Sequence, residues 1–141
     1  MGFRDISQIA GSAMTAQTIR LNTIASNLAN AESAAGSEGG IYRARKPVFA
    51  SVFLQGDDFT AQPSGARVQV LDVVQSQEAG RKAYEPGSPL ADAEGNVFYP
   101  NVNPVEEMTD MLSASRAFQT NVEVLGRVKS MQQDLLKLGE G

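Results

Sequence analysis

A chain of 141 residues is long enough for one domain, but its supply of large core side chains is small. Hydrophobic residues make up 42% of the sequence, many of them alanine, and tryptophan is missing. The formal charge of -4 argues against a nucleic-acid-binding surface, which would need a basic face. Because chains with few large apolar side chains often complete their burial against neighbouring copies, the composition favours an assembling protein.

The missing residue types exclude several kinds of active site. Without cysteine there are no disulfides, zinc–thiolate sites or thiol nucleophiles. Without histidine, the usual general base and the commonest metal ligand are also missing. We therefore expect a structural protein rather than an enzyme, with no catalytic residues, no metal site and no cofactor.

No segment predicts a membrane span or a cleaved leader. The N-terminal residues lack an uninterrupted apolar run behind a basic start, which a secretory signal peptide requires. No run of about 18 apolar residues occurs, so we expect no insertion into a membrane. Any export of the chain is expected to follow a route that needs no cleaved signal.

Residues 3–31 are predicted to form a long N-terminal helix. Apolar or small residues recur along this segment at spacings of mostly three and four. Asp5, with Gln8 three residues later, resembles a capping box, which places the first helical turn just after Asp5. Gly11 is expected to weaken the helix locally.

Residues 36–102 are predicted to form a β-rich insert. The small, glycine-rich segment 34–40 indicates a flexible exit from the first helix. An exposed loop is expected at residues 55–65. The β-prone runs that predict strands lie at residues 46–54, 68–74 and 96–99.

Two charged clusters in the insert raise the question of a ligand site. Carboxylates alternate along residues 89–96 as at the start of an EF-hand calcium loop, but the glutamate that closes such a loop does not follow. Arg43, Arg45 and Lys46 form the densest basic cluster, yet three charges beside a proline do not define a phosphate site. We interpret the first cluster as a hairpin-type turn and the second as a solvated loop or strand edge.

Residues 103–141 carry the clearest helix signal. Asn103 is a favourable N-cap, Pro104 suits the first helical position, and Gly139 is a typical stop. An apolar stripe at helical spacing runs between them, over a length that is typical of coiled-coil or bundle packing. Gly126 lies inside this helix and is expected to mark a bend or a close approach of another backbone.

Three acidic residues near the start of this helix, Glu106, Glu107 and Asp110, are candidates for acid–base chemistry. Acidic side chains in a first turn lie at the positive end of the helix dipole, where each contributes about 0.3 to 1 kcal/mol. We therefore interpret them as capping residues.

The whole pattern predicts an α+β fold in which the long N- and C-terminal helices pack together as a coiled-coil-like pair, with the small β-rich insert between them. Residues 1–35 and 103–141 are expected to form an inner assembly domain. Asparagine and serine near the stripes indicate side-chain hydrogen bonds across a helix interface. The alternative is that Asn27 and Asn30 only end the first helix, and we expect both to be partly true.

Two motifs resemble those of bacterial flagellar axial proteins. One is the run Ser-Asn-Leu-Ala-Asn-Ala at residues 26–31, and the other is the helical segment 103–131. A narrower resemblance, to proximal members of the flagellar basal-body rod family, covers the whole chain. It rests on Tyr-Glu-Pro-Gly-Ser-Pro-Leu-Ala-Asp at 84–92, Pro-Asn-Val-Asn at 100–103 and Ser-Ala-Ser-Arg-Ala at 113–117.

The resemblance implies a structural subunit of the rod, the hollow drive shaft that transmits motor torque and lets export substrates pass. It implies synthesis in the cytoplasm, export through the flagellar type III apparatus without a cleaved signal peptide, and polymerisation in the periplasmic space. The implied partners are other copies of the chain, other proximal and distal rod proteins, the rod-base adaptor, the MS ring and the export apparatus, with no nucleic acid. The alternative from another class is a secretion-associated chaperone or adaptor that binds partner helices in a groove.

The residues expected at the assembly interface lie on or beside the two helical stripes. They are Ile6, Ala10, Leu21, Ile24, Asn27, Leu28, Asn30, Met108, Leu112, Arg116, Phe118, Asn121, Val122, Leu125 and Leu135. Contacts between copies are expected to be head-to-tail, because a closed twofold pair would stop growth. The free monomer is expected to have poorly ordered ends that gain helix on assembly.

Overall fold

The computed structural model describes residues 2–54 and 65–139, and it has the predicted α+β architecture. Its elements are helix α1 (Phe3–Asn30), a short 3-10 helix (Glu38–Gly40), strands β1 (Arg45–Leu54), β2 (Gly65–Gln75), β3 (Arg81–Tyr84) and β4 (Asn96–Tyr99), and helix α2 (Pro104–Gly139). The loop expected at residues 55–65 lies outside the described residues, apart from Gly65, which begins β2. None of the helices in the described ranges is long and apolar enough to cross a membrane.

Helix α1 begins at Phe3, where its predicted stripe begins, and not after the Asp5–Gln8 pair. Its N-cap is Gly2 and its first helical residue is Phe3, so the expected start just after Asp5 was wrong. Gly2 has no side chain with which to cap the helix. Asp5 supplies the capping contact from the third helical position, because its Oδ2 accepts the Gly2 N–H at 2.7 Å.

Helix α2 begins as predicted. The Asn103 Oδ1 accepts the N–H of Val105 at 3.1 Å, and Pro104 is the first helical residue. Gly126 is exposed, and a Cβ added there would meet nothing within 4 Å among the described residues. Packing within the described chain therefore does not require a glycine at this position.

The two helices pack side by side and antiparallel. Asn27, near the end of α1, bonds to Glu107 in the first turn of α2, whereas Arg20, earlier in α1, pairs with Asp110 further along α2. The buried apolar side chains of the two helices are Ala10, Ala16, Ile24, Ala114 and Val128. Since most of these are small, the helices can approach closely but bury little apolar volume, as the composition predicted.

The insert contains two separate antiparallel sheets. Strands β1 and β2 form a long hairpin whose register shifts at a bulge between Val48 and Phe49. Both strands start earlier than the predicted runs. Strands β3 and β4 form the second sheet, which Ala35 extends by pairing with Phe98. Strand β3 was not predicted, because this strand of four residues is formed by its pairing with β4 and has no hydrophobic pattern of its own.

The second sheet covers a small core of its own, centred on the fully buried Val97. Ile41 and Ala44, from the segment before β1, are buried as well. A Cβ at Gly80 would lie 2.6 Å from both the Ile41 Cδ1 and the Tyr99 carbonyl oxygen, so only glycine fits there.

The acidic segment before β4 is the predicted turn. The Asp92 Oδ1 accepts the backbone N–H groups of Glu94 at 2.9 Å and Asn96 at 2.8 Å. The Asn96 hydrogen bond is the main cause that lowers the pKa of Asp92 below its ordinary value. Gly95 adopts a φ of 81°, the left-handed conformation that such a turn requires.

Candidate assembly interface

A connected group of polar side chains lies at the end of α1. The Asn27 side chain is 1% exposed, and its Nδ2 donates to the Arg45 carbonyl at 2.9 Å and to the Glu107 Oε1 at 3.1 Å. Its Oδ1 accepts the Arg45 N–H at 2.8 Å and the Tyr42 hydroxyl at 2.9 Å. We call the group Ser26, Asn27, Tyr42, Arg45 and Glu107 the Asn27 joint. It connects α1, the start of β1 and the first turn of α2.

The chemistry of the joint fixes the direction of its hydrogen bonds. The Asn27 amide can be oriented in only one way, because the Arg45 N–H needs an acceptor and the Arg45 carbonyl needs a donor. The Tyr42 hydroxyl uses its single proton toward Asn27. Ser26 Oγ, at 3.0 Å from that hydroxyl, must therefore donate to it. All four hydrogen-bonding positions of Asn27 are satisfied, as a buried amide requires.

Glu107 and Asp110 do more than cap α2, so that interpretation was incomplete. Glu107 is 9% exposed, and burial raises the pKa of its carboxyl above the ordinary value, although the Asn27 hydrogen bond opposes this. Asp110 forms a half-exposed ion pair with Arg20 at 3.0 Å. Of these three acids, only Glu106 is an exposed side chain of the first turn, as the capping interpretation expects. Glu107 lies seven residues before the buried Ala114, and this spacing was the signal that could have placed it on the inner face.

Replacing Glu107 by glutamine is expected to raise the free energy of unfolding near neutral pH and to flatten its pH dependence. Because the pKa is raised, the folded chain binds a proton at Glu107 more tightly than the unfolded chain does. The wild type therefore carries the cost of a buried charge above the raised pKa and gains stability as the pH falls through it. Glutamine keeps an oxygen for Asn27 and has no charge to bury.

Urea unfolding of both proteins across the acid-to-neutral range measures this effect. The exposed neighbour gives the matched control, because Glu106→Gln removes one charge from the same turn but no buried carboxyl, and it should change the pH dependence less than Glu107→Gln does. A Glu107→Gln protein with the same pH dependence as the wild type would show that the Glu107 carboxyl titrates normally.

The residues expected at the assembly interface divide by exposure into two groups. Those that are buried or half-buried within the chain are Ile6, Ala10, Leu21, Ile24, Asn27, Leu28, Asn30, Phe118, Asn121 and Leu125. Those that are exposed are Met108, Leu112, Arg116, Val122 and Leu135. Buried members such as Ala10, Ile24 and Asn27 can affect assembly only by shaping the fold, whereas the exposed members are accessible to a neighbour.

Asn27 and Asn30 of α1 form different kinds of hydrogen bonds, in line with the expectation that both alternatives, bonding across the helix interface and a local role at the helix end, are partly true. Asn27 bonds across the helix interface to Glu107. Asn30 bonds locally, since its Nδ2 donates to the Ser26 carbonyl one turn earlier at 2.9 Å. Asn121 on α2 is also local and donates to the Ala117 carbonyl at 2.8 Å.

The single stripe read from the α2 sequence is two stripes on different faces. The inner one packs on α1 and includes Ala114 and Val128. The outer one, which we call the outer stripe, lies on the side away from α1. Its residues, with their exposed fractions, are Val105 (72%), Met108 (56%), Leu112 (62%) and Val122 (45%). Val105, Met108 and Leu112 follow one another at helical spacings of three and four, as the residues of an inner stripe also do, so the sequence alone merged the two stripes.

The last turns of α2 extend beyond the start of α1. Helix α2 has 36 residues and α1 has 28, a difference of about 12 Å at about 1.5 Å per residue. Val128 is the last buried residue of α2, whereas Met131, Leu135 and Leu138 are exposed. Leu135 follows Val128 by one heptad and so continues the face that packs on α1. We call residues 131–139 the overhang.

Comparison with known proteins identifies the class. A family model described as "Flagella basal body rod protein" matches residues 8–34, and one described as "Flagellar basal body rod FlgEFG protein C-terminal" matches residues 93–138. These two segments contain most of α1 and all but the end of α2, so both members of the helix pair are covered. The antiparallel terminal helices and their family matches define a flagellar axial protein of the rod type.

Full-length relatives identify the family within that class. Proteins named "Flagellar basal-body rod protein FlgC" are 50% identical to this chain in Escherichia coli O6:H1 over 142 residues and 49% identical in Salmonella typhimurium over 140 residues, each covering 99% of this chain and 100% of the relative. The protein of that name in Borreliella burgdorferi is 33% identical over 152 residues and covers all of both chains. The chain belongs to the FlgC family of flagellar basal-body rod proteins. Its structural role as a rod subunit, implied by the sequence resemblance, is confirmed.

Proposed function

We propose that the chain polymerises through its terminal helices into the hollow rod that transmits motor torque and lets export substrates pass. The observation that carries the proposal is the exposed apolar surface of α2. Within the described residues, the outer stripe and the overhang place large side chains in solvent along most of the helix, including Leu112 and Leu138. Exposed apolar side chains of this kind, in a stripe and at a helix end, are typical of protein–protein contacts.

The geometry of the overhang favours head-to-tail growth. Its apolar face continues the surface on which α1 packs, so the end of a helix from a neighbouring subunit could extend the same packing beyond Phe3. Such a contact joins two different surfaces, and it therefore propagates instead of closing into a dimer. In this arrangement residues 1–35 and 103–141 form the inner assembly domain and residues 36–102 the outer insert.

The partners and location that we propose follow from family membership. The chain contacts its own copies, other proximal and distal rod proteins, the rod-base adaptor and the MS ring, and it reaches the periplasmic space through the flagellar type III export apparatus without a cleaved signal peptide. We propose no catalytic role. Support for this comes from the lack of histidine and cysteine and from the structural role of the family.

Replacing Leu112 by glutamate is expected to abolish rod assembly while leaving the monomer folded. Leu112 is 62% exposed in the monomer, so a charge there costs little, but an unpaired charge buried between subunits costs several kcal/mol, about 3 to 5. The measurement is motility and electron microscopy of basal bodies in a bacterium whose only copy of this protein is the variant, with circular dichroism of the purified variant.

Leu71→Glu is the matched control, because Leu71 is also 62% exposed but lies on the β1–β2 hairpin. It should retain more rod assembly than Leu112→Glu. Normal rods in the Leu112→Glu strain would refute a role for the outer stripe.

A further inference from the structure

The β1–β2 hairpin lies against α1 through both of its strands, but no side chain of β2 is fully buried. Residues 31–44 separate α1 from β1, so chain connectivity does not set the direction in which the hairpin leaves. Most side chains of β2 are exposed or half-exposed. An open groove runs between β2 and α1, and the Val68 N–H crosses it to the Ser12 Oγ at 3.1 Å.

Packing is also incomplete at the base of the hairpin. A cavity of about 220 Å³ lies between the start of β1 and the helix pair, with Pro47 and Phe49 on one side and Thr23 and Ile24 on the other. The cavity is open to solvent and partly lined by charged side chains, so apolar contact between β1 and the helix pair is interrupted there.

The Asn27 joint adds a directional constraint at the base of the hairpin. Arg45 is the first residue of β1, and the Asn27 amide bonds to both its N–H and its carbonyl. Two bonds between planar groups fix the rotation as well as the position of a peptide segment. The same amide bonds to Glu107, so the base of the hairpin and the first turn of α2 share one buried side chain.

We propose that Asn27 is the positioning residue of the β1–β2 hairpin: its paired bonds to the Arg45 backbone set the direction of the hairpin, and its bond to Glu107 ties that direction to α2. The outer hairpin and the inner helix pair then move as one body. This inference concerns the isolated folded chain and holds whether or not the helices mediate polymerisation.

If Asn27 only stabilised the fold, its loss would lower the stability without changing the direction of the hairpin. The experiment must therefore measure that direction. The chain contains no cysteine, so two introduced cysteines carry spin labels without background. Ser51 on β1 and Ser113 on α2 are both exposed and suit Ser51→Cys and Ser113→Cys. Electron–electron double resonance then measures the distance between hairpin and helix pair in the full chain.

The labelled chain with Asn27 intact is expected to give one narrow distance distribution. Asn27→Ala should broaden it or shift it by several ångströms while helix content is retained. Asn27→Asp should do the same, because it keeps the acceptor for Tyr42 but places an oxygen against the Arg45 carbonyl and the Glu107 carboxylate. Asn30→Ala is the matched control and should leave the distribution unchanged, since the Asn30 amide donates to a carbonyl of its own helix.

A narrow, unshifted distribution in a folded Asn27→Ala chain would overturn the proposal. Should that variant fail to fold, Glu107→Ala decides, because it removes the bond that ties Asn27 to α2 and keeps both bonds to Arg45. The distance between hairpin and α2 should then broaden or shift, and an unchanged distribution would count against positioning by this joint.

Discussion

Ala114→Leu is expected to cause a large loss of stability in the helix pair, lowering the thermal midpoint by several degrees. Ala114 is fully buried on the face of α2 that packs on α1. Added methylene groups in a closely packed site cost about 1 to 3 kcal/mol, and occasionally more. In a chain with so few large buried side chains, this is a large part of the total stability.

Thermal unfolding followed by circular dichroism measures the effect. The adjacent exposed residue provides the control, because Ser113→Leu adds a similar volume where no packing opposes it. Equal midpoints for the Ala114→Leu variant and the wild type would mean that the two helices are not in close contact at this point.

Hydrogen exchange of the free chain is expected to divide α2 into a slowly exchanging first half and a rapidly exchanging overhang. Amides near the Asn27 joint and Ala114 open only with larger parts of the structure, whereas no side chain described in residues 131–139 is buried. Protection should therefore differ by orders of magnitude along one continuous helix, since each factor of ten corresponds to about 1.4 kcal/mol of opening free energy.

Exchange measured by mass spectrometry on the monomer tests this division. The sequence led us to expect poor order in both terminal helices of the free chain, and the buried Ala10, Ile24 and Ala114 narrow that expectation to the overhang. Uniformly strong protection over residues 6–30 and 105–137 would contradict both the expectation from the sequence and the narrower expectation for the overhang. Assembly into rods should slow exchange in the overhang, because a neighbouring subunit then covers it.

The features that sequence predicted correctly depend on residues close together in the chain. Asn103 and Pro104 mark the start of α2 because a cap acts within one turn. The turn before β4 follows from Asp92 and Gly95, whose effects reach only a few residues. The two long helices follow from their periodic stripes.

The features that sequence missed depend on partners far away. The role of Glu107 is set by Asn27, 80 residues earlier, so its first-turn position gave only the capping interpretation. Strand β3 exists through its pairing with β4. The inner and outer stripes of α2 can be distinguished only from the position of α1, which covers the inner one. Leu112 and Ala114 are two residues apart, yet Leu112 is exposed and Ala114 is buried.

The Asn27 joint has a consequence for unwanted association. Strand β1 pairs with β2 along one edge and leaves its other edge without a strand partner in the described residues, and such an edge can recruit a strand from another chain. Asn27 occupies the N–H and the carbonyl of Arg45, which are the first hydrogen-bonding positions on that edge. An incoming strand would have to break a buried amide pair before it could pair from the base of the hairpin. One side chain of α1 thus keeps the first hydrogen-bonding positions of this free edge from a strand of another chain.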